Sequence, residues 1–268
     1  MNNMINKTPK EKEHMQKMIA TAYASLNGRK HICEAFKNPI NIMARSFNIA
    51  RQGLQEKAIL PDEDLFYRDE DVVYIESNGG VPKHGPCLIL NCFEICGSGE
   101  HSPDILLKPN AFDVMFKLQQ DAAKEIRAQE EANFFTMACL AKPIKFASAA
   151  KAIEGLVKRG ATSIAYSKLI DKECPEKYMM PKGVETSLER GRTWKGVPLE
   201  VTSAIPMGTI YGFVGKVGDL IIKNQIYAQV ADQPTANFKS IKKYGYIFKE
   251  TVGMIITKPK NILKAVLK

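Results

Sequence analysis

The stretch from Phe112 to Phe135 reads FDVMFKLQQDAAKEIRAQEEANFF and contains neither glycine nor proline. Its apolar residues recur at helical spacing, and the apolar stripe narrows at Ala122 and Ala123, where another backbone could approach closely. Asn110 is suited to cap the start, and the pattern stops before Pro143. We therefore predict a helix of about 30 residues, roughly 45 Å long.

Two amphipathic helices are predicted ahead of this long helix. The first starts with a capping box at Thr8 and ends at Gly28. The second starts at Asn38-Pro39, because proline suits the first turn of a helix. Residues 70–96 then read as an extended β-hairpin that turns at Asn78-Gly79-Gly80.

The remainder of the chain alternates as strands do, apart from one more helix. Ser148 is expected to cap that helix, which ends at Gly160. Residues 261–268 fit either a strand or a helix. The strands are predicted over residues 197–201, 208–213, 220–222 and 226–230, followed by a closing β-hairpin over 244–248 and 252–256. The predicted class is α+β.

The formal charge of +9 is unevenly distributed along the chain. Residues 1–57 carry a net charge of +6 and residues 237–268 a net charge of +7, whereas the middle carries −4. Two basic ends around an acidic middle favour contact with a polyanion, although lysine-rich ends that are simply solvated fit the same pattern.

No catalytic motif stands out in the sequence, and we predict that the chain is not an enzyme. Nucleophile elbows, phosphate loops and dinucleotide fingerprints are all missing. Glu130 and Glu131 are adjacent, so they diverge on a helix and suit acid–base work poorly. We interpret them as solvated or interface carboxylates, and no cofactor is predicted.

One group of soft ligands lies within 18 residues, namely His84, Cys87, Cys92, Cys96 and His101. Such residues can hold zinc, but their spacing is not that of a usual zinc finger, and a strand would point Cys87 and Cys92 to opposite faces. Small apolar residues in a hairpin are the favoured interpretation, and no metal is predicted. Six cysteines without a secretory signal suggest reduced thiols in a cytoplasm. No apolar run approaches a membrane span.

Several motifs, in this order, resemble the Hong Kong 97-fold major capsid protein of tailed bacteriophages. Phe93-Glu94-Ile95 resembles the return strand of that family's extended loop, and Gln129–Phe134 resembles its spine helix with an acidic pair before alanine. Trp194–Leu199 and Pro206–Tyr211 are similar to its axial domain. Gly245–Met254 is similar to the closing strands of its peripheral domain.

The resemblance implies a Hong Kong 97-like capsid fold with five parts. These are an N-terminal arm with amphipathic helices (1–57), the extended loop and the start of the peripheral domain (58–110), the spine helix (111–142), the axial domain (143–225) and the closing peripheral strands (226–268).

It also implies a function. Copies of the chain would assemble as pentamers and hexamers into the icosahedral head of a virion, built in the host cytoplasm around double-stranded DNA. A separate scaffolding protein, a portal and decoration proteins are expected partners, DNA contacts would go to phosphate without sequence preference, and no membrane is involved.

Two sets of residues are candidates for contacts in such a shell. The extended loop would reach a neighbouring subunit through Asn78, Gly79, Gly80, Val81 and Lys83. The DNA-facing candidates are Lys7, Lys10, Lys12, Lys17, Lys242, Lys243, Lys258 and Lys260.

Two alternatives stay open. An encapsulin-like nanocompartment would share the fold and enclose cargo proteins, which the basic ends make less attractive. A cytoplasmic α+β enzyme or nucleic-acid-binding protein with no assembly role would be a compact monomer or small oligomer.

Overall fold

The computed structural model describes residues 26–46, 48–59, 64–68, 71–75, 88–89, 92–101, 111–167, 192–231 and 244–267, with positions 14, 17 and 18. The α-helices are α1 (Leu26–Arg45), α2 (Ile49–Gly53), α3 (Ala111–Ala138) and α4 (Ala149–Lys158). The strands are β1 (Leu54–Ala58), β2 (Asp64–Arg68), β3 (Asp71–Ile75), β4 (Leu88–Ile89), β5 (Phe93–His101), β6 (Pro143–Phe146), β7 (Ser163–Ser167), β8 (Arg192–Trp194), β9 (Val197–Thr202), β10 (Thr209–Phe213), β11 (Gly218–Ala231), β12 (Tyr244–Ile256) and β13 (Ile262–Leu267). The predicted α+β class is confirmed.

The chain divides into two compact units, both discontinuous in sequence. One comprises Met1–Ser46, Ile95–Ile126 and Gln225–Glu250, and the other comprises Phe47–Glu94, Arg127–Asn224 and Thr251–Lys268. We call them the first and the second unit. The five sequence segments implied by the capsid resemblance stay a prediction.

The long helix predicted from residue 112 onward is confirmed as α3, with 28 residues. It ends at Ala138, four residues short of the last position before Pro143, and closes in a tighter turn in which Ala141 N donates to Ala138 O at 3.2 Å. The predicted cap Asn110 lies outside the described residues. The residues of α3 that are buried in the first unit are Met115, Leu118, Ala122, Ala123 and Ile126.

The close backbone approach predicted at Ala122 is also present, in the first unit. Gly97 of β5 lies so near the helix that a Cβ added to it would overlap the backbone of Ala122. Two residues on, Gly99 packs against the side chain of Leu118 in the same way. Glycine in the strand and alanine in the helix therefore let strand and helix pack with no side chain between them.

Helix α1 corrects the two helices predicted near the N-terminus. Gly28 lies inside α1 and does not end a helix, and Pro39 lies in its interior and does not start one. Pro39 removes one backbone hydrogen bond. The buried positions Ile32, Phe36 and Ile40 nevertheless keep helical spacing across it, so burial of one continuous face outweighs that loss. Of the predicted helix from Thr8 to Gly28, positions 14, 17, 18 and 26–28 are described, and these are helical.

The four-stranded sheet has the order β1-β11-β12-β5, with β1 parallel to β11. Its two inner strands are longer than the sequence predicted, because β11 runs through residues 223–225 and β12 through 249–251. The predicted closing hairpin is therefore wrong. Strand β12 lies between two partners, and a turn in its middle would leave ladder hydrogen bonds of both neighbours unmade.

The six-stranded sheet belongs to the second unit and has the order β6-β13-β10-β7-β9-β8. Residues 262–267 form its strand β13, which settles the ambiguous C-terminal segment. Helix α4 begins as predicted, because the side chain of Ser148 accepts from Lys151 N, and Gly160 follows it at φ 89°. Ile153 and Leu156 of α4 pack against Tyr166 and Ile210 of the sheet.

A separate three-stranded sheet corrects the predicted hairpin over 70–96. Its order is β3-β2-β4, and both outer strands are antiparallel to β2. Strands β3 and β4 are therefore parallel to each other and cannot be joined by a tight turn. The predicted return strand at Phe93 belongs instead to β5 of the four-stranded sheet. The turn at Asn78-Gly79-Gly80 lies outside the described residues.

Replacing Gly97 by alanine tests the close packing between β5 and α3. We expect a loss of about 1–3 kcal/mol of stability, because the new methyl group would meet helix backbone that cannot rotate away. Thermal unfolding followed by circular dichroism measures the effect. For comparison, Ala132→Gly on the exposed side of α3 gives the size of a change in backbone propensity without any clash, at about 1 kcal/mol. An unchanged melting temperature for Gly97→Ala would contradict the proposed packing.

Candidate assembly surfaces and the buried anchor of the long helix

Glu130 and Glu131 are not the solvated carboxylates that the sequence suggested. Their exposed fractions are 0% and 5%, and both lie in the second unit. They do diverge, as neighbours on a helix must, but each meets its own set of donors. A buried carboxylate is costly unless it is paired and hydrogen-bonded, so this acidic pair marks a place where other elements are tied to α3.

Glu130 is held by Arg51 of α2 in a two-pronged contact. Arg51 Nε donates to Glu130 Oε2 at 3.0 Å, and Arg51 Nη2 donates to Oε1 at 2.5 Å. Asn48 Nδ2 donates to the same carboxylate. Arg51 Nη1 also contacts Glu56 Oε1 at 3.3 Å, on strand β1. The planar guanidinium thus connects α2, β1 and α3 in a fixed geometry, which a lysine ammonium could not reproduce.

Glu131 binds a second pair of elements. Ile49 N, at the first turn of α2, donates to Glu131 Oε1 at 3.3 Å, and Thr202 Oγ1, at the end of β9, donates to Oε2 at 2.5 Å. A carboxylate at a helix N-terminus satisfies an unpaired amide and suits the helix dipole. Glu131 therefore fixes where α2 begins and where β9 ends.

The two ends of α2 are satisfied by side chains. Asn48 caps the start, with Oδ1 accepting from Arg51 N at 3.3 Å. At the other end, Lys216 Nζ donates to the carbonyl oxygens of Arg51 and Gln52, each at 2.9 Å. Gly53 follows directly, and a Cβ there would lie 2.9 Å from the ring of Phe134. A helix of five residues has little stability of its own, so these contacts hold it in place.

An aromatic cluster continues from this anchor into the six-stranded sheet. Phe134 and Phe135 of α3 lie 5.3 and 5.2 Å from Phe213 and Tyr211, measured between ring centroids. Burial, and then the nearby Cys139, raises the pKa of Tyr211 to about 12. The last turns of α3 are thus fixed by polar contacts at Glu130 and Glu131 and, one turn further along the same faces, by ring packing at Phe134 and Phe135.

The structure places only part of the predicted contact residues. Lys17, Lys258 and Lys260 are exposed. The other DNA-facing candidates, Lys7, Lys10, Lys12, Lys242 and Lys243, and the loop candidates Asn78, Gly79, Gly80, Val81 and Lys83 lie outside the described residues.

The possible zinc ligands are described only in part. Cys92 is half-buried and Cys96 is exposed, whereas His84 and Cys87 lie outside the described residues. Within the part of the chain that the structure describes, no group of three histidine, cysteine or acidic residues could hold a metal ion. None of the described helices is long and apolar enough to cross a membrane.

Large apolar side chains are exposed on several elements. Phe112 and Phe116 stack on each other in the first turns of α3, with centroids 6.3 Å apart and exposed fractions of 79% and 41%. Further exposed apolar residues are Met18, Ile42, Leu140 and Met207. A lone exposed apolar residue is ordinary, but a stacked aromatic pair on one face is a candidate contact surface.

No family model matches the chain, and no curated protein matches it in sequence. Among solved structures, it is similar to the virus-like particle from Pyrococcus furiosus, with 11% identity, 88% of this chain and 98% of that chain covered, and a TM-score of 0.48. Similarity to the phage G major capsid proteins has 8% identity, coverages of 81% and 90%, and a TM-score of 0.48. Similarity to the holo-SrpI encapsulin complex from Synechococcus elongatus has 12% identity, covers 80% of this chain and 84% of that chain, and has a TM-score of 0.43.

The solved structures to which the chain is similar thus include a virus-like particle, phage capsid proteins and an encapsulin. Capsid and encapsulin chains occur among them at similar identity. The likeness therefore does not separate these two classes.

Arg51→Met tests the buried anchor. The substitution leaves Glu130 charged and buried without its guanidinium partner, which we expect to cost about 3–5 kcal/mol of stability. Lys158→Met, in the exposed pair between Lys158 and Glu154, is the matched control and should cost about 0–1 kcal/mol. Chemical denaturation of the three proteins measures the difference.

The double variant Arg51→Met/Glu130→Leu refines this test. It removes both charges, so it should recover a large part of the stability lost in the single variant. If Arg51→Met were as mild as Lys158→Met, Arg51 would not anchor α3.

Proposed function

We propose that the chain is the major capsid protein of a tailed bacteriophage, whose copies assemble into an icosahedral shell around double-stranded DNA. Its role is structural and needs no catalytic site. The motif order in the sequence supports this, as does the long α3. The observation that carries the proposal is the three-stranded sheet β3-β2-β4.

This small sheet has apolar residues at both alternating sets of positions. The register pairs Phe66 with Val73 and Ile89, and the next position pairs Tyr67 with Val72 and Leu88. None of its strands pairs with a described strand of the other two sheets. A short sheet of this kind needs cover on its apolar positions to be stable in water. We propose that a second copy of the chain covers these positions, since a shell offers the same contact to every subunit.

The connection between β3 and β4 is the segment that would reach a neighbour. It includes Asn78, Gly79, Gly80, Val81 and Lys83, which we propose as intersubunit contacts. Because the two strands that it joins are parallel, it is a crossover of 12 residues and not a hairpin tip. A crossover between two strands of one sheet is held at both ends, which suits a projecting contact element.

The buried contacts of Glu130 and Glu131 support the same proposal, because they make the subunit rigid. A shell subunit has to keep one shape while several neighbours pull on it. The Arg51–Glu130 pair and the contacts of Glu131 fix α2, β1 and β9 to one stretch of α3 within the second unit. Weak contacts between subunits then add up across a closed shell.

The particle proposed here is a virion head assembled in the host cytoplasm from pentamers and hexamers. Its partners would be a separate scaffolding protein, a portal and decoration proteins. DNA would be contacted through phosphate by exposed lysines such as Lys17, Lys258 and Lys260.

Self-assembly is the experiment that tests the proposal. The full chain, expressed alone and together with the gene products encoded beside it, should sediment as shells, tubes or capsomers that negative-stain electron microscopy resolves. Concentration-independent monomers in both conditions would refute it and favour the non-assembling enzyme or nucleic-acid-binding protein. Shells that enclose protein cargo and no nucleic acid would favour the encapsulin-like alternative.

The stacked pair Phe112 and Phe116 provides a mutational test of assembly. We expect Phe112→Ser/Phe116→Ser to weaken assembly by tenfold or more in equilibrium constant, which corresponds to about 1.4 kcal/mol per contact. Its melting temperature should change little, because Phe112 and Phe116 are both exposed within the subunit, at 79% and 41%. Asp113→Ser/Lys117→Ser, on exposed positions beside the pair, is the control. Sedimentation velocity compares them, and equal assembly of both variants would show that the pair is not an intersubunit contact.

A further inference from the structure

Three loops of the second unit meet at one end of the six-stranded sheet. There β7 begins at Ser163, β10 ends at Phe213 and β13 begins at Ile262, and the register places these three residues side by side. The loops that adjoin them are residues 158–162, 214–217 and 257–261. We call this set of loops the basic edge.

The basic edge carries five positive residues and no acidic one. They are Lys158, Arg159, Lys216, Lys258 and Lys260, and all five are exposed. The five residues come from three segments that are about 50 or 100 residues apart in the chain, so sequence inspection alone does not group them. Only the pairing of β7, β10 and β13 does.

Hydrogen bonds hold the three loops to one another. Val214 N donates to Asn261 O at 2.9 Å, and Asn261 Nδ2 donates back to Val214 O at 3.0 Å. Thr162 Oγ1 donates to Phe213 O at 3.0 Å and accepts from Gly215 N at 2.9 Å. The spacing of the charges is therefore set by folded backbone rather than by chance positions of surface side chains.

Most of this positive charge is not neutralised within the subunit. Lys158 pairs with Glu154 at 3.2 Å, and Lys216 is bound by two backbone carbonyls, which carry no net charge. Among the residues that the structure describes, Arg159, Lys258 and Lys260 have no ion pair. Four positive charges thus face solvent together.

We propose that the basic edge is a binding surface for the phosphate backbone of nucleic acid. Its exposed side chains are lysine, arginine, threonine and proline, whereas its apolar residues Ala161 and Val217 are buried and Val214 is half-buried. Protein interfaces are depleted in lysine and enriched in aromatic residues, whereas phosphate contacts come from lysine, arginine and hydroxyl groups. No aromatic side chain lies in these loops to stack on bases, so binding does not depend on sequence.

This inference rests on the proposed function, since a shell around DNA is what gives such a surface its ligand. It adds to the earlier candidates Lys258 and Lys260 a residue that the sequence did not single out, Arg159, and gives all three a common location. It also predicts that the remaining exposed lysines of the unit contribute less to binding.

The test compares the full chain with two variants of equal charge change. One is Arg159→Gln/Lys258→Gln/Lys260→Gln, and the control is Lys124→Gln/Lys145→Gln/Lys151→Gln, which changes three exposed lysines outside the basic edge. Fluorescence anisotropy with a labelled DNA duplex of random sequence is measured on the unassembled fraction between about 50 and 200 mM KCl. Circular dichroism checks that each variant is folded.

We expect the basic-edge variant to bind on the order of tenfold more weakly at low salt, with the slope of log affinity against log salt reduced by about 0.9 for each phosphate contact removed. The control variant should keep most of the parent's affinity and slope. Arg159→Lys, which keeps the charge, should bind as the parent does.

Three results would overturn the proposal: a parent chain that does not bind the duplex at low salt, equal losses in the two triple variants, or normal duplex binding by a basic-edge variant that no longer assembles. The last result would show that the surface meets an acidic face of another subunit. Sedimentation of the parent without DNA decides the capsid proposal separately, so failure of one proposal is distinguishable from failure of the other.

Discussion

The buried contact between Arg51 and Glu130 is the interaction on which the second unit depends. Removing two charges from water is expensive, and only close, two-pronged pairing with further hydrogen bonds offsets that cost. The structure supplies both, because Asn48 donates a further hydrogen bond to the Glu130 carboxylate and Glu56 accepts one from the Arg51 guanidinium. An arrangement with this many simultaneous requirements tolerates one geometry, so it fixes position more than it adds stability.

Helix α3 is held by different physics along its length. In the part that belongs to the first unit, small residues and the glycines of β5 allow helix and strand backbones to pack directly. In the part that belongs to the second unit, Glu130 and Glu131 anchor the helix through polar contacts, and Phe134 and Phe135, one turn further along the same faces, pack into an aromatic core. The residues of this one helix thus support two different kinds of packing, one in each unit.

The proposed shell function uses these features in a consistent way. The interior is fixed by ion pairs and close backbone contacts. We propose two other surfaces for partners, namely the small sheet, which has apolar residues at both alternating sets of positions, and the exposed aromatic pair. The basic edge differs from these in composition, since it carries charge without apolar surface. Surfaces of opposite chemistry on one chain suit a protein that contacts copies of itself and a polyanion at the same time.

The sequence by itself determined the long helix, the capped helix α4, most of the strand positions and the α+β class, because helical and alternating periodicity are local properties that survive in most contexts. It also predicted the close approach at Ala122 from residue size alone. It misplaced the boundaries at Gly28 and Pro39, where burial of a continuous face overrode local breakers. It split β12 at 249–251, where two neighbouring strands keep the ladder intact.

What only the tertiary structure decided was which distant residues meet. Two adjacent glutamates look solvated in a sequence, and their burial follows from Arg51 and Thr202, about 80 and 70 residues away, arriving at the same stretch of the helix. The pairing of β3 and β4 with β2 rather than with each other, and the grouping of Arg159 with Lys258 and Lys260, have the same origin. Periodicity specifies which face of an element is apolar, but strand order and the partners of buried charges depend on long-range contacts that no local pattern records.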